Sequence, residues 1–290
     1  MPRHLLLATA LCACAAAPAY AQEVTAQSLV AKNLEARGGA QAIEAIKAIR
    51  FNGKIIFPGD FELTYNEVRA RGGADGIQAR MEGSVQGLTY TQGYDGSSAW
   101  RINPFQGRKD PEKMSADEAR SMADSSRIDG VLLDARNDGS TVTYLGREDF
   151  DGTPAYKLKV SQKDGDEFTY LLDPDTFLEI KITETRQIRG AQQTSETELG
   201  DYEKVGGVYF PMSVENWQQG RPNQRQRVII ETAQANPAVA AGLFAEPVAP
   251  APAAKSGGEA PDASNKPPET SPDNPPPTQP EDPAQPPKGE

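Results

Sequence analysis

Residues 153–188 read TPAYKLKVSQKDGDEFTYLLDPDTFLEIKITETRQI. In the first segment Tyr156, Leu158 and Val160 alternate with polar residues, and a β-strand places alternate side chains on opposite faces. The pairs Asp164-Gly165 and Asp173-Pro174 are typical of tight turns, and the residues between the segments are too few to form a helix. The stretch therefore predicts short antiparallel strands joined by tight turns, with one buried and one solvated face.

The segment after the second turn shows the same period. Leu178, Ile180 and Ile182 alternate with Glu179 and its polar neighbours, so we expect the three apolar side chains to face the core. Strand-like segments with the same alternation run from residue 49 to 94 and again from 141 to 233, separated by turns rich in Gly, Pro and Asp. Repeated strands without intervening helices favour an antiparallel meander over a parallel βαβ sheet.

Two helical patterns precede the strands, and one helical segment interrupts them. Residues 25–37 place apolar side chains near one helical face and end at Gly38-Gly39, and residues 40–48 predict a second, shorter helix. Ser115 and Glu118 have the spacing of a capping box, which predicts a helix running to Arg127. A further short piece holds Val131, Leu132 and Leu133. The segment 115–135 is thus either a cap on the core or a lid that opens over a cavity.

The two ends of the chain differ in composition from the middle. Arg3, an apolar run and the small-x-small site Ala19-Tyr20-Ala21 predict a secretory signal peptide over residues 1–21 and a periplasmic location. An alternative is a lipobox at Leu11–Cys14, which would anchor the protein to a membrane through Cys14. Residues 247–290 are rich in proline and carry seven acidic residues and three lysines, which predicts a disordered tail after a single domain over 22–246.

Removal of the signal peptide limits the available chemistry. The only cysteines, Cys12 and Cys14, and the only histidine, His4, would leave with it, which excludes a His-activated nucleophile and a Cys/His zinc site. We predict no cofactor and no metal. The net charge of −8 on residues 22–246 argues against a nucleic-acid partner.

Carboxylates remain as possible catalytic groups, so a two-acid hydrolase is one hypothesis. Six acidic residues are possible members of a pair: Asp95, Asp129, Asp134, Glu148, Asp149 and Asp151. Most of them stand in Asp-Gly or Asp-x-Gly sequences, where aspartate is favoured for its bonds to the local backbone. Turn formation is therefore the better explanation.

Aromatic and apolar side chains are the remaining candidates for a site. Several cluster around GYDGSSAWRINPF, residues 93–105, and others lie on a late strand. They are either core residues or the lining of an apolar cavity able to hold an acyl chain. The candidate ligand contacts are Tyr90, Tyr94, Trp100, Phe105, Leu132 and Trp217.

An ordered set of short motifs carries a family resemblance over roughly residues 25–246. These are Ala36-Arg37-Gly38-Gly39, Gly93-Tyr94-Asp95-Gly96 with Ala99-Trp100, Gly152-Thr153-Pro154, Leu172-Asp173-Pro174, Asp201-Tyr202, Gly207-Val208 and Pro211. Together they resemble the outer-membrane lipoprotein-sorting proteins, relatives of the LolA-type periplasmic carrier. The resemblance implies a curved, unclosed antiparallel β-sheet, a half-barrel, with helices covering its concave face and a cavity for lipoprotein acyl chains. It also implies a functional arginine, for which Arg50, Arg69, Arg71 and Arg80 are candidates by position.

The sequence therefore predicts a monomeric, non-enzymatic periplasmic carrier or chaperone that binds lipid or lipoprotein acyl chains, in lipoprotein sorting or outer-membrane biogenesis. One alternative is an envelope sensor or scaffold with the same fold, a filled core and a tail that binds a protein partner. The other is a carboxylate-based hydrolase.

Overall fold

The structure is a computed structural model that describes residues 23–248. The predicted signal peptide, the Cys14 anchor and nearly all of the predicted tail lie outside these residues. The helices are α1 (Ala26–Ala36), α2 (Ala40–Ala45), α3 (Ala116–Ser125) and α4 (Val131–Asp138). Short 3-10 turns occur at Pro104–Gln106 and Pro222–Gln224. None of the described helices is both long and apolar enough to cross a membrane.

Thirteen strands make up the rest of the described fold. In chain order they are β1 (Ala48–Phe57), β2 (Phe61–Ala70), β3 (Gln78–Val85), β4 (Leu88–Tyr94), β5 (Ala99–Ile102), β6 (Glu112–Lys113), β7 (Thr141–Phe150), β8 (Thr153–Ser161), β9 (Glu167–Leu172), β10 (Glu179–Ile188), β11 (Ala191–Val205), β12 (Val208–Gln218) and β13 (Gln226–Ala235).

All thirteen strands form one antiparallel sheet. Its order is β6-β5-β4-β3-β2-β1-β13-β12-β11-β10-β9-β8-β7, so two meanders meet where β1 pairs with β13. The sheet does not close, because β6 and β7 stand at opposite edges. The mainly β, unclosed antiparallel architecture predicted from the sequence is confirmed.

The helices cover one face of the sheet, called here the inner face. Arg101 on β5 pairs with Glu118 on α3 at 3.1 Å, and Arg186 on β10 pairs with Asp124 on α3 at 3.1 Å. Seven strands separate β5 from β10 in the sheet order. A single helix can contact both only if the sheet curves around it. The inner face is therefore the concave face of a half-barrel.

The core lies between this concave face and the helices. Leu29 of α1, Ile43 of α2, Met122 of α3 and Leu132 of α4 belong to one buried cluster. The strands add inward-facing residues to the same cluster, among them Tyr156, Leu158 and Val160 of β8, as the alternation predicted. Burial of this apolar surface is the main favourable term for the fold.

The helix boundaries follow the predicted signals closely. The Ser115 hydroxyl accepts a bond from the Glu118 N–H, and the Glu118 carboxylate accepts one from the Ser115 N–H. This capping box starts α3 where it was expected. The helix ends at Ser125, two residues before the predicted end, and the short piece beyond it continues to Asp138 as α4.

The predicted alternation in β10 is wrong at its start. The register against β9 shifts between Glu179 and Lys181, which marks a β-bulge, so Glu179 lies on the same face as Ile182. Glu179 is buried there beside Arg37. A bulge inserts one extra residue, and one residue is enough to exchange the two faces of a strand.

A short segment after β13 lies against the other, outer face. Phe244 is buried in a small cluster with Ala48, Val68 and Ala70. The Trp100 indole N–H donates to the Phe244 carbonyl at 2.9 Å. This segment, residues 243–244, is called the strap.

Candidate functional site

A cavity of about 480 Å³ lies between α3 and the inner face, and we call it the lid cavity. Its walls come from α3, from β4 on one side and from β10, β11 and β12 on the other. The lining residues are Gln92, Met114, Glu118, Ser121, Met122, Ser125, Glu184, Arg186, Ile188, Arg189, Gln193, Ser195 and Gln218. The volume is within the range typical of small-molecule sites, roughly 300–1,000 Å³.

The wall of the lid cavity is amphipathic. Met114, Met122 and Ile188 supply an apolar side. Uncharged polar side chains supply much of the rest, and the Gln218 amide donates to the Gln193 amide oxygen at 3.3 Å. Gln193 and Gln218 are both exposed, so they stand at the mouth of the cavity. The lining can therefore contact an apolar chain and a hydrogen-bonding polar group together.

A buried ionic network fixes α3 beside the cavity. The Arg186 guanidinium pairs with Asp124 of α3 at 3.1 Å, with Asp166 at 2.6 Å and also with Glu184. Arg186, Asp124 and Asp166 are nearly inaccessible to solvent. Breaking a buried ion pair leaves an uncompensated charge in a medium of low dielectric constant. The network therefore opposes movement of α3 away from β10.

A second ionic contact holds the start of α3. Hydrogen bonds from the Ser115 N–H and hydroxyl, together with the Arg101 guanidinium, lower the pKa of Glu118 to about 2. Glu118 also pairs with Arg189 of the β10–β11 turn at 3.4 Å. The carboxylate is thus ionised near neutral pH and ties α3 to both sides of the curved sheet.

Three of the predicted contacts lie on the inner side of the fold. The Tyr90 hydroxyl donates to Gln92, a lining residue, at 3.1 Å. Tyr94 donates to Asp75, and burial together with that bond raises the pKa of the Tyr94 phenol. Leu132 is fully buried in the main core. Tyr90 is thus the member of this group that reaches a lining residue.

The other three predicted contacts lie elsewhere. Trp100 pairs with Gly93 in the β4–β5 register on the outer face, and it is 0% exposed beneath the strap. Trp217 lies on the outer face of β12, with the Arg225 guanidinium 3.8 Å from its ring centroid. Phe105 is 44% exposed on the 3-10 turn. The structure does not bring the six side chains together, and none of these six described residues is among those lining the lid cavity.

Gly93 explains why Trp100 fits where it does. A Cβ at position 93 would lie 2.5 Å from the indole ring. Contacts that short do not occur between real atoms, so the adjacent strand must carry a glycine there. The stretch from residue 93 to 100 is therefore shaped for packing on the outer face.

The four candidate arginines also lie in different parts of the fold. Arg69 lies on the inner face, where it pairs with Glu67 at 2.8 Å and stacks over Phe51. Arg71 pairs with Asp129 of the α3–α4 turn at 2.5 Å. Arg80 lies on the outer face, stacks over Trp100 and donates to the strap carbonyl of Leu243. Arg50 lies opposite Val68 on the outer face of β1.

Most of the acidic candidates for catalysis have structural partners, such as Lys157 for Glu148. Asp95 accepts bonds from the backbone of Ser97 and Ser98, and those bonds lower its pKa against the opposing effect of burial. Asp149 accepts from Gly152 in a hairpin turn. Within residues 23–248, no three or more His, Cys, Asp or Glu side chains gather as a metal site would require.

Burial and the neighbouring Asp129 carboxylate raise the pKa of Asp134 to about 6, although Arg127 acts in the opposite direction. The two carboxylates stand at the α3–α4 turn beside Arg71 and Arg127. They join the turn to the end of β2 and lie away from the lid cavity.

Sequence reasoning missed the residues that organise the site. Arg186 and Glu184 lie in the polar stretch Thr183–Gln187, which has no motif that marks a buried network. Gln193 lies on a strand segment whose outer residues are equally polar, and Gln218 is the last residue of its strand, next to the aromatic Trp217. A useful signal was available in one case: Arg186 follows Ile182 with the two-residue period of an inward-facing position.

Comparison with known proteins supports the fold. Neither a protein-family model nor a curated protein matches this sequence. Among solved structures, a DUF1329 family protein from Desulfovibrio piger matches with a TM-score of 0.54 and 10% identity, over 76% of this chain and 96% of that one. A domain from Vibrio parahaemolyticus assigned to outer membrane lipoprotein sorting matches with a TM-score of 0.52 and 10% identity, over 76% and 97%.

A LolA superfamily protein from Nitrosomonas europaea is also similar, with a TM-score of 0.49 and 13% identity, over 77% of this chain and 98% of that one. At such low identity the first two matches establish a shared fold. The resemblance seen in the sequence is therefore confirmed at the level of architecture, a curved, open antiparallel sheet.

Proposed function

We propose that this protein is a non-enzymatic binding protein of the bacterial envelope that carries an amphiphile by holding its acyl chain in the lid cavity. The observation that carries the proposal is the cavity itself, which lies between a helix and the concave face of an open half-barrel. The fold is shared with a domain assigned to outer membrane lipoprotein sorting, which supports a cargo with acyl chains.

Burial of methylene groups would supply the binding energy. Each methylene moved from water to an apolar wall contributes about 0.8 kcal/mol. Met114, Met122 and Ile188 provide such a wall, and methionine adapts its shape to irregular partners. Tyr90 would contribute through its bond to Gln92, and we propose no direct cargo contact for Trp100, which the strap covers.

The route of entry follows from the fixed position of α3. Because Asp124 pairs with Arg186 on β10 and Glu118 pairs with Arg101 on β5, the helix is held to both sides of the sheet. We therefore propose that cargo enters past the exposed mouth at Gln193 and Gln218. The helix would remain in place during entry. This route differs from the predicted lid, in which the whole segment 115–135 would open over the cavity.

Direct analysis of bound lipid tests the proposal. Protein comprising residues 22–290 is purified from an envelope fraction without detergent, extracted with organic solvent, and its lipids are identified by mass spectrometry. A second assay follows uptake of a fatty-acyl probe whose fluorescence rises in an apolar environment. We expect co-purified acyl lipid and saturable uptake.

A matched pair of variants locates the uptake. Gln193 and Gln192 are adjacent, exposed and identical in type, but they point to opposite faces of β11. Gln193→Trp places a large side chain in the cavity mouth and should reduce uptake by about tenfold or more. Gln192→Trp should leave uptake unchanged. An empty protein that takes up no probe, or equal uptake by both variants, would contradict the proposal.

A further inference from the structure

Both cations of the lid cavity contact carboxylates. Arg186 contacts three carboxylates, those of Asp124, Asp166 and Glu184. Arg189, the other cation of the lining, pairs with Glu118 through its guanidinium, and its backbone N–H donates to Asp117. Among the described lining residues, each cation thus has at least one acidic partner.

The residues that line the cavity carry no net charge. Two arginines, Arg186 and Arg189, and two glutamates, Glu118 and Glu184, line it. Asp124 and Asp166 stand directly behind Arg186 and are buried. Arg120 and Arg127 share these two aspartates, but they also pair with further acids, Asp117, Asp164 and Asp134. A phosphate or carboxylate entering here would meet guanidinium groups that already have carboxylate partners.

Uncharged hydrogen-bonding groups, in contrast, are abundant. Gln92, Gln193 and Gln218 present amides that can both donate and accept, and Ser121 and Ser195 present hydroxyls. Hydroxyl, ester and amide groups of a ligand are matched by such a lining. A site of this kind discriminates against a ligand whose charge it leaves unpaired.

We infer that the lid cavity selects amphiphiles with an uncharged, hydrogen-bonding head group, such as a glyceride or an acylated amide, over lipids that carry a phosphate or a free carboxylate. This inference rests on the proposed function. It names the chemical class of cargo for the same cavity.

Three probes with one fluorescent twelve-carbon chain test the selection: a monoacylglycerol, the free fatty acid and a lysophosphatidic acid. Each is titrated below its micelle concentration into protein comprising residues 22–290, at 0.15 M salt. We expect the monoacylglycerol to bind about tenfold or more tightly than the lysophosphatidic acid, because an unpaired anion is costly among carboxylates at an effective dielectric constant of about 20.

The outcomes separate this inference from the proposed function. Equal affinity for the three probes, or tighter binding of either anion, would overturn the selection while leaving carriage of acyl chains intact. Absence of binding for all three would remove both.

A charge-matched pair of variants strengthens the test. Glu184→Gln removes one cavity carboxylate and should raise the affinity for lysophosphatidic acid by about threefold to tenfold, with little effect on the monoacylglycerol. Glu196→Gln makes the same change of charge on the outer face of β11, where Glu196 pairs with Lys181, and should change neither affinity. Equal responses of the two variants would contradict the inference.

A third variant covers the case in which Glu184→Gln does not fold. Gln218 is exposed at the mouth, so Gln218→Leu should leave the fold intact. It should weaken binding of the monoacylglycerol by about threefold through loss of a hydrogen bond, without weakening the lysophosphatidic acid. An unchanged preference in this variant would contradict a role for the polar lining.

Discussion

At the scale of single residues, Arg37 links more parts of the fold than its sequence position suggests. Its guanidinium donates to the carbonyls of Ile128 and Tyr209 and pairs with the buried Glu179. These groups belong to the α3–α4 turn, to β12 and to β10. The motif Ala36-Arg37-Gly38-Gly39 therefore has a structural explanation: the end of α1 is tied to distant strands by one side chain.

Replacing Arg37 should destabilise the protein strongly. Arg37→Met keeps most of the side-chain volume but leaves Glu179 buried without its cation, which typically costs about 3–5 kcal/mol. We expect this loss in the free energy of unfolding measured by urea denaturation. Arg50→Met, on the outer face of β1, should cost less than about 0.5 kcal/mol. Comparable losses for the two variants would contradict the assigned role.

Asp134 should make stability depend on pH in the direction opposite to most carboxylates. Its pKa rises from an ordinary value of 3.8 to about 6 in the folded protein, so the folded state favours the protonated form. The contribution of Asp134 to the free energy of unfolding is therefore fully present below about pH 4 and is lost as the pH rises through about 6. Asp134→Asn should therefore gain about 1–2 kcal/mol relative to the natural protein between pH 4 and pH 7.

Urea denaturation across that pH range measures the difference. Glu118→Gln is the control of opposite sign, because the pKa of Glu118 is lowered to about 2 and its contribution is present above about pH 4.5 and lost as the pH falls. A constant difference between Asp134→Asn and the natural protein at all pH values would show that Asp134 titrates normally.

The face of the sheet on which a side chain lies could not be predicted from the sequence. Trp100 and Trp217 are aromatic and buried, as core or cavity residues should be, yet register places both on the outer face. Alternation shows that every second side chain of a strand shares a face, but only pairing with the neighbouring strands determines which set faces the helices. A bulge then exchanges the two sets, as it does at Glu179.

At the scale of elements, the capping box of α3 and the turn at Asp95-Gly96 could be read from the sequence because each depends on residues a few positions apart. The attachment of α3 could not. It depends on Arg186, Asp166 and Asp124, which lie on three different elements and meet only in the folded chain. The strap was also missed, because Phe244 stands beside the proline-rich region.

Loss of the strap contact should destabilise the outer face. Phe244→Ala removes a buried ring from its cluster with Val68 and Ala70, and we expect a cost of about 3–5 kcal/mol. In a Trp217→Phe background the emission of Trp100 should also shift to longer wavelength as water reaches the indole. Val248→Ala, at a fully exposed position, should change neither quantity. Unchanged emission and stability in Phe244→Ala would contradict a packed strap.

At the scale of the whole molecule, the two meanders are joined at a seam that no local pattern could predict. β1 pairs with β13 along eight positions, and Asn236 accepts a bond from Lys47, 189 residues away in the chain. Alternation indicates that these segments are strands, but it carries no information about which distant strand is the partner. The family resemblance implied a curved, unclosed sheet without naming the partners, and the structure gives both the strand order and its register.

Removal of the C-terminal tail distinguishes a carrier from a scaffold that binds a partner through its tail. The cavity walls lie entirely within residues 92–218, and the strap ends at Phe244, so a variant ending at Val248 retains every contact described for the site. We expect this variant to keep the melting temperature and the acyl-probe uptake of the protein comprising residues 22–290. The removed segment is acidic and proline-rich, with little apolar surface to bury. Loss of uptake on truncation would contradict a self-contained carrier domain. Intact uptake with loss of a captured envelope protein would assign the tail to partner binding and leave cargo binding to the half-barrel.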